Sequence, residues 1–265
     1  MIATEIEREL YDLNKEEVRS LALSLDPVAF AQSLGFNPWP WQAEFLRDNH
    51  QRIIMNCPRG AGKSLLTGII ALHHAVFTPH AFVLMFSRSD RQAMELFKKA
   101  RDYYKLGIDV PKADSAHGLE LKNGSRILSL PSSPETVVGY HDVTLLIIDE
   151  AALAKEELYK RARPMLDHLK GRLFSLSTPL GKRGFYYDEW RDWEENPQTF
   201  WRGITVTTDE CPHMTPEFLA EEREKLGERW YRQEYECSFE ENADAYFTYD
   251  EVQGAISKDV KPLFS

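Results

Sequence analysis

Residues 57–64 read Cys57-Pro58-Arg59-Gly60-Ala61-Gly62-Lys63-Ser64. The spacing is that of G-x-x-x-x-G-K-[ST], with Cys57 where the first glycine would stand. Each type has a physical task around a phosphate chain. Gly60 and Gly62 let backbone N–H groups, that of Ala61 among them, converge on phosphate oxygens. Lys63 reaches the β and γ phosphates, and the Ser64 hydroxyl is a Mg²⁺ ligand. Arg59 adds a second cation inside the loop. The competing reading is a glycine-rich turn capping an ordinary helix.

A second set lies at the end of the apolar run TLLIIDE. Asp149 is a candidate to hold the metal, and Glu150 to polarise an attacking water. The plain alternative is an acidic helix cap after a core strand. Ser177-Thr178-Pro179 ends a later run and offers hydroxyls that can sense a γ-phosphate, or a simple strand-end turn. The basic loop LGKRG (180–184) is either a contact with DNA or another subunit, or a solvated loop. Upstream, in Trp39-Pro40-Trp41-Gln42, the Gln42 amide can read both edges of adenine. Trp41 reads as core packing rather than a stacking platform. His73-His74 reads as helix packing, and Cys211-Pro212-His213 lacks partners for a metal.

The elements that must position these groups are legible around them. RIIMNC reads as a buried strand before the loop, and KSLLTGIIALHHAVF as the helix after it. That helix N-terminus would face the anion. AFVLMF is strand-like and SDRQAMELFKKARDYY helical. LELKNGSRILSL reads as two strands around an Asn123-Gly124 turn. VTLLIID and GRLFSLS are strands, with EELYKRARPMLDHL as a helix between them. Residues 3–35 read as two or three short helices, and WQAEFLRD as another. Alternating strands and helices predict an α/β fold with a mostly parallel sheet flanked by helices. The expected organisation is a helical N-terminal segment with the adenine-side motif (1–50), a P-loop core (51–240) and a linker or tail (241–265).

Composition narrows the options. The formal charge is −10 over 265 residues, so nucleic-acid contact must be local rather than spread over the surface. No apolar run approaches the roughly 20 residues of a membrane span. The N-terminus is charged, which argues against a secretory leader. The three cysteines are too few and scattered for a disulfide framework, so a reducing compartment is expected.

These motifs follow one another at domain-like spacing. They run from the Trp-Gln segment through a P-loop with an internal arginine and LLIIDEAA to SLSTPLGKRGFYYDEW and EFLAEEREKLGERWYRQEYECSF. The order over roughly residues 35–250 resembles the N-terminal ATPase domain of the large terminase subunits of tailed phages and prophages. The resemblance implies a RecA-like ASCE fold that hydrolyses Mg·ATP. It implies assembly as a homo-oligomeric ring on the portal of a procapsid, with a small terminase subunit as partner. It also implies movement of double-stranded DNA in the cytoplasm of the bacterial host, with no membrane. By position, Gln42 would serve the adenine and Arg59 the phosphates. Lys63 and Ser64 would bind triphosphate and Mg²⁺, and Asp149 the metal. Glu150 would be the catalytic base, and Ser177-Thr178 the element coupling hydrolysis to movement. Two departures stand out. Val138 occupies the place of the family's usual trans-acting arginine, which leaves Arg88, Arg91, Arg172 and Arg183 as substitutes, with Arg183 first. The chain stops at Ser265, near where the family's nuclease begins, so no DNA cleavage is expected from it. Two other readings stay open: a helicase-like ATPase, for which 265 residues leave no second lobe, and an ATP-binding assembly module that turns over negligibly.

Overall fold

The computed structural model describes residues 14–107, 111–133, 139–166, 170–241, 251, 254 and 255. Three helices come first: α1 (Lys15–Leu25), α2 (Pro27–Ser33) and α3 (Pro40–Arg47). Asn14 starts α1 with a capping box: its side chain accepts from the amides of Glu16 and Glu17, and the Glu17 carboxylate accepts from the Asn14 amide. Asp26 then ends α1 and caps α2 through the Val28 amide. These reciprocal bonds satisfy orphan donors that a helix start leaves open.

The sheet then forms in chain order. Strand β1 (Arg52–Asn56) leads into α4 (Lys63–Phe77), β2 (Phe82–Ser87) and α5 (Asp90–Gly107). Short strands β3 (Ala113–Asp114) and β4 (Gly118–Glu120) precede β5 (Arg126–Pro131) and β6 (Leu145–Asp149). Helix α6 (Glu156–Ala162), strand β7 (Arg172–Ser177), helix α7 (Gly184–Glu195) and strand β8 (Trp201–Thr205) follow. Helices α8 (Pro216–Leu226) and α9 (Glu228–Tyr235) close the described core. The strand order is β3-β4-β5-β2-β6-β7-β1-β8. β5, β2, β6, β7, β1 and β8 run parallel, and only the β3-β4-β5 end is antiparallel.

The period of two is visible in the packing. Ile53, Met55, Val83, Met85, Leu145 and Ile147 bury one face of the sheet under α2–α5. Ile54, Leu84, Phe86, Leu146 and Ile148 bury the other under α6 and α7. A sheet covered on both faces needs near-continuous apolar strands, which is why LLIID and FVLMF read so clearly.

The predicted α/β architecture is present, and the helix predicted over KSLLTGIIALHHAVF is α4. One reading needs amendment. The helix expected over EELYKRARPMLDHL stops at Ala162 and tightens into a 3₁₀ turn over Arg163–Leu166, because Pro164 has no amide to continue the α-helical ladder. The turn at Asn123-Gly124 joins antiparallel β4 and β5 as expected, with Gly124 at φ +82°. Asn123 donates from its side chain to the carbonyls of Ala75 and Val76 at the end of α4. The first helix read over TEIERELYDLN, apart from Asn14, and the Val138 position lie outside the described residues.

Candidate active site

The C-terminal ends of β1, β7 and β6 lie side by side and carry the three predicted motifs. The loop after β1 is anchored by backbone pairing. The Cys57 amide donates to the Ser177 carbonyl at 3.0 Å, and the Thr178 hydroxyl donates to the Cys57 carbonyl at 3.0 Å. Cys57 is fully buried, so the residue replacing glycine here packs inward. Beneath it, the buried Tyr186 hydroxyl bridges the Met55 carbonyl at 2.6 Å and Asn56 Oδ1 at 2.8 Å, fixing the end of β1. Gly60 and Gly62 take φ of +83° and +89°, a region that costs other residues dearly. Gly62 is the N-cap of α4, so the first-turn amides of Lys63 and Ser64 have no carbonyl one turn earlier and face the loop.

Lys63 is buried, with 6% of its surface exposed. Its ammonium donates to Thr178 Oγ1 at 3.1 Å and lies 3.9 Å from Glu150 Oε1. The Ser64 hydroxyl donates to Asp149 Oδ2 at 3.2 Å. Burial, and next to it the Glu150 charge, pushes the Asp149 carboxyl up to about 6. A carboxylate buried beside a hydroxyl and short of positive partners is a site that a hard divalent cation would relieve. The Ser64–Asp149 pair therefore fits Mg²⁺.

Glu150 sits at φ +54° in the left-handed region and makes no side-chain bond to the 3₁₀ turn it precedes. The helix-cap alternative thus lacks its defining hydrogen bond. A non-glycine residue at positive φ is a strained placement of the kind that gathers at functional sites. Here it reverses the chain so that the Glu150 carboxylate lines the cavity next to Asp149. Ser177 braces this reversal by accepting from the Ala152 amide at 3.2 Å.

A cavity of about 300 Å³ opens over these groups, lined by Arg59, Arg88, Gln92, Glu150, Thr178 and Glu234 among others. Arg59 is tied to α9: its amide donates to the Glu234 carbonyl at 2.9 Å, and its guanidinium lies 4.0 Å from the Glu234 carboxylate. Burial pushes Glu234 up from the ordinary carboxylate value, while Arg59 pulls it down. On the other side of the loop, Gln42 is buried and its Oε1 accepts from the Trp39 amide at 2.9 Å. A Cβ on Gly62 would stand 3.3 Å from Gln42 Nε2, so this amide borders the loop. Trp41 packs in the core as expected, whereas Trp39 stacks on His213 with centroids 5.2 Å apart.

The family described as "Terminase large subunit, T4likevirus-type, N-terminal" matches residues 54–253. The chain belongs to this family. It is similar to a probable terminase large subunit of Enterobacteria phage P7, 24% identical over 89% of this chain and 53% of that protein. It thus spans about half the length of that curated relative. Among solved structures, it resembles the large terminase ATPase domain of Thermus phage P74-26, with TM-score 0.69 and 19% identity over 80% of this chain and 97% of that one. It also resembles the large terminase of a thermophilic bacteriophage in complex with ATP-gamma-S, with TM-score 0.61 and 13% identity over 76% of this chain and 53% of that one. At these identities the structural likeness speaks for the fold.

Within this terminase ATPase domain, the candidate arginines separate. Arg172 begins β7, at the edge of the sheet away from Ser177, and its guanidinium donates to the carbonyls of Asp48 and His50. It does not line the cavity of its own chain. Arg183 is exposed at the start of α7, outside the cavity wall. Arg88 is in the wall. Glu234 and Gln92 were not singled out by the sequence reading. Glu234 lies in the terminase-like EYECSF stretch, but nothing in a local pattern says that α9 folds back over the loop.

Proposed function

We propose that this terminase domain hydrolyses Mg·ATP at the β1-β7-β6 edge and that the cycle drives double-stranded DNA into a procapsid. The observation that carries the reading is the convergence of Thr178 and Glu150, at 3.1 and 3.9 Å, on the Lys63 ammonium, with Ser64 and Asp149 alongside. Residues far apart in sequence meet in the pattern that triphosphate chemistry requires.

In this reading Gln42 meets the adenine, and the amides of Gly60, Ala61, Gly62, Lys63 and Ser64 hold the phosphate chain. Lys63 turns from Glu150 toward the β and γ oxygens. Ser64 and Asp149 would hold Mg²⁺, which supplies charge neutralisation between the β and γ phosphates. Glu150 orients a water in line with the γ phosphorus. The water oxygen bonds to that phosphorus as the bond to the β–γ bridging oxygen breaks. ADP keeps the bonding electrons, and the water's proton passes to Glu150. Arg59 leaves Glu234 for the phosphates, so α9 feels the occupancy of the loop. Thr178, held between Lys63 and the Cys57 carbonyl, passes the change to the loop after β7. Residues 51–240 form the motor core, with 1–50 as the helical, adenine-side segment and 241–265 as a tail. The working assembly is a ring of copies on a portal, served by a small terminase subunit, in the host cytoplasm.

Lys63→Ala tests this directly. Fluorescent ATP-analogue binding and phosphate release should both be lost while the far-UV circular dichroism is unchanged. Binding and turnover at the parent level would show that residues 57–64 are only a turn.

A further inference from the structure

We propose that Arg88, from the same chain, is the cation that meets the γ-phosphate during hydrolysis, in the role that a neighbouring subunit's arginine would otherwise fill. The proposal rests on the ATPase reading of the site above.

β2 and β6 are parallel neighbours, with Met85 opposite Ile147 and Phe86 opposite Ile148. Two residues beyond this last pair, and one beyond the end of each strand, come Arg88 and Glu150. Neighbouring strands lie about 4.8 Å apart, so the Arg88 backbone leaves the sheet beside that of the water-positioning carboxylate. Both side chains line the one cavity, together with Arg59 and Thr178. The position is set from both sides. Phe86 and Ser87 are buried in β2 before it. After it, Ser89 accepts from the Gln92 amide at 3.3 Å and starts α5. Arg88 is exposed, as are Ser89 and Asp90 after it, and it is the cation at this junction; it makes no ion pair with any described residue, so it is free to meet an incoming anion.

Charge accounting points the same way. Before nucleotide arrives, Lys63 faces Glu150 and Arg59 faces Glu234. Arg88 is the cation in the cavity wall that no carboxylate among the described residues already holds. A guanidinium there offers a rigid fork of donors to non-bridging phosphoryl oxygens. Such a preorganised donor stabilises charge that develops in the transition state. Its place beside Glu150, not beside Gly62, directs it to the terminal phosphate rather than the α and β phosphates.

The test uses the full chain with Arg88→Ala, Arg88→Lys and Glu150→Gln. Arg88→Ala should slow single-turnover hydrolysis at least about 10²-fold, as expected for loss of a transition-state donor. It should weaken ATP-gamma-S binding at least tenfold and leave ADP affinity within about twofold, which also reports an intact fold. Arg88→Lys should recover part of the rate. Mixing Arg88→Ala with Glu150→Gln should give no activity, because no chain in the mixture holds both groups. Activity regained on mixing would show that Arg88 works on a neighbour's site and would overturn the same-chain assignment. Parent-level DNA-free hydrolysis in Arg88→Ala, with loss only of DNA-stimulated turnover, would overturn it in favour of a DNA contact. Parent-level hydrolysis in Glu150→Gln would mark failure of the underlying site reading instead.

Discussion

The two ends of the parallel sheet use the same residue types for opposite purposes. At the C-terminal end, Lys63 is buried and, among the described residues, meets a hydroxyl at 3.1 Å and a carboxylate at 3.9 Å beside a cavity. At the N-terminal end, Arg172 donates to the Asp48 and His50 carbonyls and stacks over the Phe174 ring at 4.6 Å. Next to it, His74 pairs with the Thr144 hydroxyl at 2.9 Å, and that hydroxyl also accepts from the Phe82 amide. One edge leaves its polar groups available to an anion. The other spends them on backbone groups that the sheet would otherwise strand. Basic charge near a sheet end is therefore a poor guide to function, and the identity of its partners is a good one.

The largest difference should appear between Lys63 and Arg172. Lys63→Ala should reduce phosphate release by about 10³-fold or more, the scale on which phosphoryl-transfer cations act. Arg172→Ala should leave turnover per folded molecule within about twofold. Its cost should fall on stability, about 2 kcal/mol by urea unfolding, as for lost hydrogen bonds to a charged group. Equal catalytic damage from both substitutions would erase the distinction between the edges.

A smaller effect separates two loops. Arg183 lies outside the cavity wall, so Arg183→Ala should leave phosphate release of the isolated chain within about twofold at every protein concentration. A rate that rises steeply with concentration in the parent and loses that rise in Arg183→Ala would move the arginine role to a neighbouring subunit.

The N-terminal edge also carries a pH signature. Burial, then Arg172 and His73, holds the His74 imidazole down to about 4. The unfolded chain takes up this proton near its ordinary value of about 6.5, whereas the folded chain does not. Stability present above about pH 6.5 should therefore be lost as pH falls toward 4, by about 3 kcal/mol in full. His74→Asn should flatten this part of the denaturation profile. An unchanged slope between about pH 6.5 and 4.5 would show that His74 is not the group responsible.

Much of this was legible in sequence because the candidate site residues sit in contiguous motifs at strand ends. Gly60 to Ser64, Asp149-Glu150 and Ser177-Thr178 each announce a strand terminus and a chemical type together. What stayed hidden depends on pairing over distance. β8 was not foreseen, since WRGIT is short and interrupted by Arg202 and Gly203; it forms because it can extend β1 on the sheet edge. Gly203 is needed there because a Cβ would stand 2.2 Å from the Trp193 ring. Glu234 faces Arg59 only because α9 folds back over the loop. Arg88 was one of four arginines in sequence, and the β2–β6 register is what distinguishes it. Arg183, preferred in sequence for its nearness to Ser177-Thr178, lies outside this chain's own cavity wall.

The central claim is that Glu150 acts on water while the loop binds nucleotide. The most direct measurement is single-turnover phosphate release by Glu150→Gln, paired with its Mg·ATP affinity. The account predicts affinity within a few-fold of the parent and a rate lower by about 10²–10⁴, the usual worth of a positioned general base. Hydrolysis at the parent rate would contradict it and require another carboxylate, with Glu234 across the cavity the first to examine.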